Sequence, residues 1–309
     1  MRTFRRGLDD EFVELLNEEY DRGRWWRGLV QDKELYIAIR DNCVNVYYRG
    51  CSLLECRRQG ETLVGRIHYK YLLRPDLHTK GDPHITVKDG VPDFQGDLRH
   101  FFIENLGCRE ALKNAAKPYV GNEKEGVFDI IRANENVLDV EIALGKDPQP
   151  EEDGKPKEGR VDLAVLRKTT GGIDLVFFEM KHFSNPELRA KGTEPKVAKQ
   201  VRRYARLLNE KREAIEQGYR KVCWNLLNIR GLADRYPIRH ELLSSIADGS
   251  EDLSVNVAPR LVVFGFDQDQ KKGDYWQCHL SKLKDRIGPK NLLLRGNSKN
   301  FTKGISTRL

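Results

Sequence analysis

The sequence predicts an α/β protein: a three-layer domain built on a mixed sheet, preceded by a small antiparallel β-rich module. Three observations carry this expectation. Between about 122 and 266 the apolar pattern runs helix, strand, strand, strand, helix, strand, the order of helices laid over a sheet. Residues 34–73 alternate with a period near two and are punctuated by Asp-Asn, Arg-Gly and Gln-Gly, as in a meander of about four strands. The segment between them, 74–97, is rich in Pro, Gly and Asp and reads as a linker or long loop. The expected domains are therefore 1–97 and 98–309.

Taken in order, "DDEFVELLNEEY" places Phe12, Leu15 and Leu16 on one side of a short helix and acids on the other. After the meander, "LRHFFIENLGCREALKNAAK" predicts a helix. A second follows in "NEKEGVFDIIRANEN", with Val127, Ile130 and Ile131 as its stripe. "VLDVEIAL" is a strand, and the polar stretch "GKDPQPEEDGKPKEG" cannot pack and reads as an exposed loop. Two apolar strands then surround a Thr169–Gly172 turn. A long helix begins near Pro195, a residue suited to a first helical turn. "RLVVFGFD", "WQCHLSKLKDRI" and "NLLLRG" close the chain as strand, helix and short strand, before a basic C-terminal tail.

With 309 residues, 39% of them hydrophobic, the chain has enough apolar surface for a real core. No apolar run approaches the roughly 18–20 residues that span a bilayer, and "MRTFRRGLDDEFVELL" has no apolar stretch behind its basic residues. The expectation is a cytoplasmic protein with no membrane partner. Its six cysteines are scattered, with no Cys-x-x-Cys pair, as suits reduced thiols rather than structural zinc. The net charge of +7 is modest, but its distribution is uneven. Lys196, Lys199, Arg202, Arg203 and Arg206 form one group; Lys282, Lys284, Arg286, Lys290, Arg295, Lys299, Lys303 and Arg308 form another. Such clusters suit a polyanion if chemistry on phosphates is argued independently.

That chemistry is suggested by the hairpin. Along a strand side chains alternate, so Glu179 and Lys181 share a face with Leu175 and Phe177, while Met180 and His182 point the other way. The turn folds Asp162 back opposite Glu179. Two carboxylates meeting on one face repel unless a cation lies between them, and oxygen donors of this kind suit Mg²⁺ or Mn²⁺. In the long helix Val197, Gln200, Val201, Tyr204 and Leu208 form one inward stripe, and an inward glutamine needs polar partners beneath it.

These three pieces, Gly159-x-x-Asp162, Glu179-x-Lys181 and Gln200-x-x-x-Tyr204, resemble the PD-(D/E)XK nuclease superfamily, specifically its RecB-like branch, over about 122–266. The upstream helix and strand also look like the nuclease half of NucS-type endonucleases. The resemblance implies a restriction-endonuclease-like core and a Mg²⁺- or Mn²⁺-dependent deoxyribonuclease acting on DNA. It implies Asp162, Glu179 and the Met180 backbone carbonyl as metal ligands, with Glu125, or Glu123, as the extra acid some members use. Lys181 would orient or deprotonate the attacking water, or neutralise charge on the phosphate; Gln200 and Tyr204 would position the phosphate backbone or the base of the site. Glu141, sharing a face with Asp139, is a further candidate ligand. Lys199, Arg202, Arg203, Lys282, Lys284 and Lys290 would track DNA without reading sequence. The proline of the family name is absent, since Val161 precedes Asp162. Nor do the cysteines match the iron-sulfur RecB-like pattern, so no iron-sulfur cluster is expected. The alternative is a non-catalytic nucleic-acid-binding or sensing module on the same fold. The implied setting is DNA repair or antiphage defence, with a partner for the N-terminal module unidentified and homodimerisation left open.

Overall fold

The computed structural model describes residues 4–71, 82–93, 106–107, 109–146, 158–190, 192–235 and 237–296. The protein is mixed α/β, with one antiparallel and one mixed sheet. It divides into two compact units, one of residues 5–121 and 219–247, the other of 1–4, 122–218 and 248–309. That division differs from the expected segments 1–97 and 98–309 in two places, and both have a physical reason. Helix Arg109–Ala116 anchors in the first unit through its buried Lys113, whose Nζ lies 3.0 Å from Asp32 and 2.8 Å from Glu34. The chain later returns there: buried Asn225 accepts the Leu8 N–H at 2.9 Å and donates to the Leu8 carbonyl at 3.3 Å.

In the first unit α1 (Asp10–Asp21) starts where Asp9 accepts the Phe12 N–H at 2.8 Å. It buries Phe12, Val13 and Leu16. The helices α2 (Trp25–Gln31) and α3 (Arg109–Ala116) follow. The sheet runs in chain order through β1 (Leu35–Ile39), β2 (Val44–Tyr48), β3 (Cys51–Gln59), β4 (Thr62–His68), β5 (His84–Lys88) and β6 (Val91–Pro92), antiparallel throughout. The last two strands fall inside the segment expected as a linker. β5 was hidden because its alternating pair, Ile85 and Val87, is short and is bounded on both sides by turn residues, Gly81-Asp82-Pro83 and Asp89-Gly90. Of the helix expected over 98–117, Arg109–Ala116 forms as α3, while 106–107 are a turn and Lys117 opens a 3-10 turn; residues 94–105 and Cys108 lie outside the described residues, as do 72–81.

In the second unit the sheet order is β11-β10-β9-β8-β7. Its strands are β7 (Val137–Lys146), β8 (Glu158–Thr169), β9 (Gly172–His182), β10 (Leu253–Phe264) and β11 (Leu292–Leu294). β7, β8 and β9 pair antiparallel, and β10 is parallel to both β9 and β11. The β8–β9 turn falls at Thr169–Gly172 as expected, and Gly172 there has φ +124° with the Asp252 carbonyl 2.7 Å from where a Cβ would sit. A side chain at 172 has neither the backbone freedom nor the room.

Helices cover both faces of this sheet. On one, α5 (Lys196–Glu210) and α9 (Asp274–Ile287) bury Val197, Val201, Trp276, Leu280 and Leu283 against Leu261 and Val263 of β10. On the other, α4 (Asn122–Arg132) brings Gly126 so close against the Phe264 ring that a Cβ there would collide with it. Val263 and Phe264 are adjacent in one strand, so α4 lies opposite α5 and α9. α6 (Arg212–Asn228) crosses the division between the units, α7 (Pro237–Ala247) belongs to the first, and α8 (Gln268–Lys272) precedes α9. Of the polar loop, 147–157 lies outside the described residues; so does the basic tail from 297 onward. Among the described residues no helix is long and apolar enough to cross a membrane.

Candidate active site at the end of the central hairpin

The register of β8 and β9 pairs Leu163 with Phe178, so the next pair out sets Asp162 opposite Glu179. The Met180 N–H donates to Asp162 Oδ2 at 2.6 Å, which orients the carboxylate. On the neighbouring positions of β9, Lys181 Nζ lies 2.8 Å from Glu179 Oε1 and 3.2 Å from Glu187 Oε2. The structure therefore brings together the two acids and the lysine singled out from the sequence. Glu179 and Lys181 are buried, at 2% and 8% exposure, whereas Asp162 keeps part of its surface open.

The glycine three residues before Asp162 has a packing role. A Cβ on Gly159 would meet Leu207 Cδ1 at 2.6 Å and Tyr204 Cδ1 at 3.5 Å, so its bare backbone is what lets α5 lie close over β8. Pro195 occupies the N-cap position of α5 rather than its first turn. One helical turn apart, Gln200 and Tyr204 then face the sheet. Tyr204 is buried; burial and the negative charge of Glu179 and Asp162 push its phenol well above the ordinary tyrosine range, so it stays neutral. Gln200 Oε1 and Glu179 Oε2 are both buried oxygens without a hydrogen-bond partner.

Electrostatics follow from this crowding. Burial, then the charge of Glu179, raises the Asp162 carboxyl well above the usual carboxylate range, with Lys181 working against the shift. Burial raises Glu179 to about 7; Lys181 pulls it down, and Glu187 and Glu123 push it up. Burial works against the Lys181 charge, but Glu179, Asp162 and Glu187 outweigh it and hold the ammonium protonated.

Two residues that the hairpin pattern did not supply complete the surroundings. Glu187 sits in a short 3-10 turn, Pro186–Leu188, fixed by the Asn185 side chain, which accepts the Glu187 N–H at 2.9 Å. Asn185 also donates to Glu123 Oε2 at 2.8 Å, and the same oxygen accepts the His182 N–H at 3.0 Å. The Asn-Pro-Glu run right after the Glu-x-Lys strand was the available signal, since Asn before Pro starts turns. Of the candidate extra acids it is Glu123 that reaches the end of β9, while Glu125 is exposed. Two residues apart on a helix point to nearly opposite sides.

Glu141 is half-buried, with its carboxylate 3.7 Å from Arg160 and a left-handed φ of 51°, uncommon outside glycine. Its charge still acts on Asp162. Asp139 is buried and accepts the Val140 N–H at 2.8 Å, turned onto its own strand. The predicted DNA-tracking cations divide. Arg203 is a correction: it is 6% exposed, its guanidinium 5.6 Å from the Tyr204 ring centre, and so belongs to the interior of α5 rather than its surface. Arg202 is ion-paired with Glu194, Nη2 to Oε2 at 2.8 Å. Lys199 is half-buried, Lys282 donates to the Gly192 carbonyl at 3.2 Å, and Lys284 and Lys290 are exposed.

Among the described residues no group of three or more His, Cys, Asp or Glu is arranged to hold a metal ion. The donors that could do so are Asp162, Glu179, the Met180 carbonyl and the unpartnered oxygen of Gln200, with water for the rest. Mg²⁺ commonly keeps several waters and takes one or two carboxylates, so a donor set with two unpartnered buried oxygens fits. No protein-family model, curated protein or solved structure matches the chain.

Proposed function

We propose that the protein is a Mg²⁺- or Mn²⁺-dependent nuclease that hydrolyses DNA phosphodiester bonds, on a restriction-endonuclease-like core of the PD-(D/E)XK type. The single observation that carries this reading is the Asp162–Glu179–Lys181 cluster under α5, its Glu179 and Lys181 buried, with Glu179 Oε2 and Gln200 Oε1 left without partners. A structural ion pair accounts for Lys181 and one carboxylate, but not for a second acid and an orphaned amide oxygen in the same layer. The sheet order β7-β8-β9-β10-β11, with its antiparallel hairpin and parallel β10, supports the fold assignment.

Asp162 and Glu179 would hold the cation, with the Met180 carbonyl as further donor. When bound, it supplies positive charge at a phosphate oxygen and an acidified water. Asp162 is pre-oriented for this by the Met180 N–H. Lys181, kept protonated between Glu179 and Glu187, serves as a cation and donor to the phosphate or the attacking water rather than as a base. Gln200 orients the same oxygens from α5, and neutral Tyr204, one turn further along the same helix, closes the site beside it.

The test is incubation of the purified protein with plasmid and end-labelled single strands in Mg²⁺, Mn²⁺ or EDTA. Cleavage is expected with either cation, none in EDTA and none in Lys181→Ala. The competing reading, a nucleic-acid-binding module that does not cut, draws on the closed Glu179–Lys181 pair. Metal-independent binding without cleavage would favour it.

A further inference from the structure

The unit of residues 5–121 and 219–247 holds a cavity of about 630 Å³ that shares no residue with the hairpin site. One wall is α1, where Glu11, Glu14, Leu15, Glu18 and Arg22 recur at i, i+3, i+4, i+7 and i+11 and so share one side of the helix. Phe12, Val13 and Leu16 go the other way into the core, and Glu19 falls at the border between the two sides. The facing wall is the β3–β4 hairpin, with Arg58, Glu61 and Leu63, together with the turn at Asp89. That turn is held in place: Asp89 and Gly90 both have positive φ, and Gly90 lies so close against Trp25 of α2 that a Cβ there would collide with it.

Every arginine of the lining is already engaged. Arg58 lies 3.1 Å from Asp9 and 3.3 Å from Glu11, Arg22 lies 2.9 Å from Glu18, and Arg24 lies 2.9 Å from Glu19. An anion entering here would meet a carboxylate at each of them. Six acids and three arginines line the cavity, an excess of three negative charges, and among the described residues Glu14, Glu61 and Asp89 have no ion pair. Glu19 is 6% exposed; its Oε1 meets Arg24 and Arg22, but Oε2 is buried with no hydrogen-bond partner. An interior carboxylate oxygen of this kind is costly until a donor reaches it. The acids are not gathered round a point: among the described residues no group of three or more His, Cys, Asp or Glu is arranged to hold a metal ion. Negative charge spread over the walls of a volume suits an extended cation with several N–H donors rather than a compact one.

We infer that this cavity binds a small aliphatic polyamine, one ammonium reaching Glu19 Oε2 past the exposed Arg22 and Arg24, the others lying between Glu14, Glu61 and Asp89, and the methylene stem running along Leu15 and Leu63. The volume falls in the range of small-molecule pockets, roughly 300–1,000 Å³, and a triamine matches the excess of three charges. Ammonium groups give each carboxylate a charge-assisted hydrogen bond, and the stem gives the two leucines an apolar partner. Polyamine binding here stands whether or not the hairpin site cuts DNA.

The test is calorimetry of spermidine into the full-length protein at physiological ionic strength, with MgCl₂ and oligolysine as competitors. Spermidine is expected to bind one to one, and MgCl₂ at matched ionic strength to leave it in place. Glu19→Gln puts a donor where the orphaned oxygen was and should weaken binding by roughly 10- to 150-fold. Glu19 also pairs with Arg24, so a second variant guards against a folding defect: Glu14→Gln combined with Glu61→Gln, at two exposed positions, should fold as the wild type does and bind roughly 2- to 30-fold more weakly. Absence of one-to-one binding, or an unchanged affinity in the double variant, would overturn the site. So would displacement by MgCl₂ at equal ionic strength, which would reduce the cavity to an acidic surface open to any cation. Oligolysine bound where spermidine is not would overturn it too, and would assign the cavity to a basic segment of a protein partner.

Discussion

Replacing Gln200 by leucine separates a catalytic site from an ordinary buried ion pair, because the two readings assign the amide opposite values. Gln200 Oε1 is buried without a hydrogen-bond partner, and such an acceptor costs about 1–3 kcal/mol. Leucine removes that cost, keeps a similar length and joins Val197, Val201 and Tyr204 on the inward face of α5. A gain of about 1–2 kcal/mol follows. For a unit of this size it raises the melting temperature by roughly 2–8 °C. If the oxygen serves the metal or its water, the same change removes a hydrogen bond to a charged group, about 1.5–3 kcal/mol, so cleavage falls by about ten- to hundred-fold. Thermal melts in EDTA and single-turnover cleavage in Mg²⁺ read the two effects apart. A destabilised Gln200→Leu would refute the orphaned oxygen, and full cleavage would refute its role; a variant both more stable and less active is the expected trade.

Three further outcomes are expected. In EDTA, Glu179, raised from 4.5 to about 7, binds its proton more tightly in the folded than in the unfolded chain. Its contribution is therefore present below pH 4.5 and lost as pH rises through 7, on the order of 3 kcal/mol; urea melts of the wild type against Glu179→Gln across pH 4.5–8 should show that difference, and a difference of the opposite sign sinks the assignment. Asp162→Asn keeps an oxygen for the Met180 N–H and should fold as the wild type does, yet bind Mn²⁺ more weakly by calorimetry, since an amide is a poorer ligand for a hard cation. Gly126→Ala should destabilise by about 1–3 kcal/mol in spite of alanine's better helix propensity, because the added carbon meets the Phe264 ring; a rise in melting temperature would show that α4 is free to shift.

What the sequence disclosed was whatever depends on period and on close neighbours along the chain. The alternation in β9 put Glu179 and Lys181 on one face, the Thr-Thr-Gly-Gly turn set Asp162 opposite, and the stripe of α5 turned Gln200 and Tyr204 inward; each of these is a local rule acting over a few residues. Residues placed by tertiary contact stayed hidden. Nothing in the pattern of α4 distinguishes Glu123 from Glu125, because the choice is made by the backbone of His182 some 59 residues away. Glu187 reaches Lys181 only because Asn185 fixes the turn. Arg203 looked like one more surface cation, but its long side chain lies along the Tyr204 ring. The return of the chain after 218 was invisible for the same reason, since a single buried asparagine at 225 bonding to Leu8 leaves no mark on composition.

The strand β7, which ends the sheet order, is irregular in a way that bears on how copies of the protein can meet. Its register against β8 shifts between Val137 and Asp139 and again between Ala143 and Gly145, and Glu141 and Gly145 both have positive φ. A terminal strand with regular backbone offers a row of free N–H and C=O groups to any passing strand. Bulges break that row into pieces too short to template a neighbour, and the Glu141 and Lys146 side chains add charge at the same border. The β7 border is therefore poorly suited to template a further strand, whether from a second copy or from another chain.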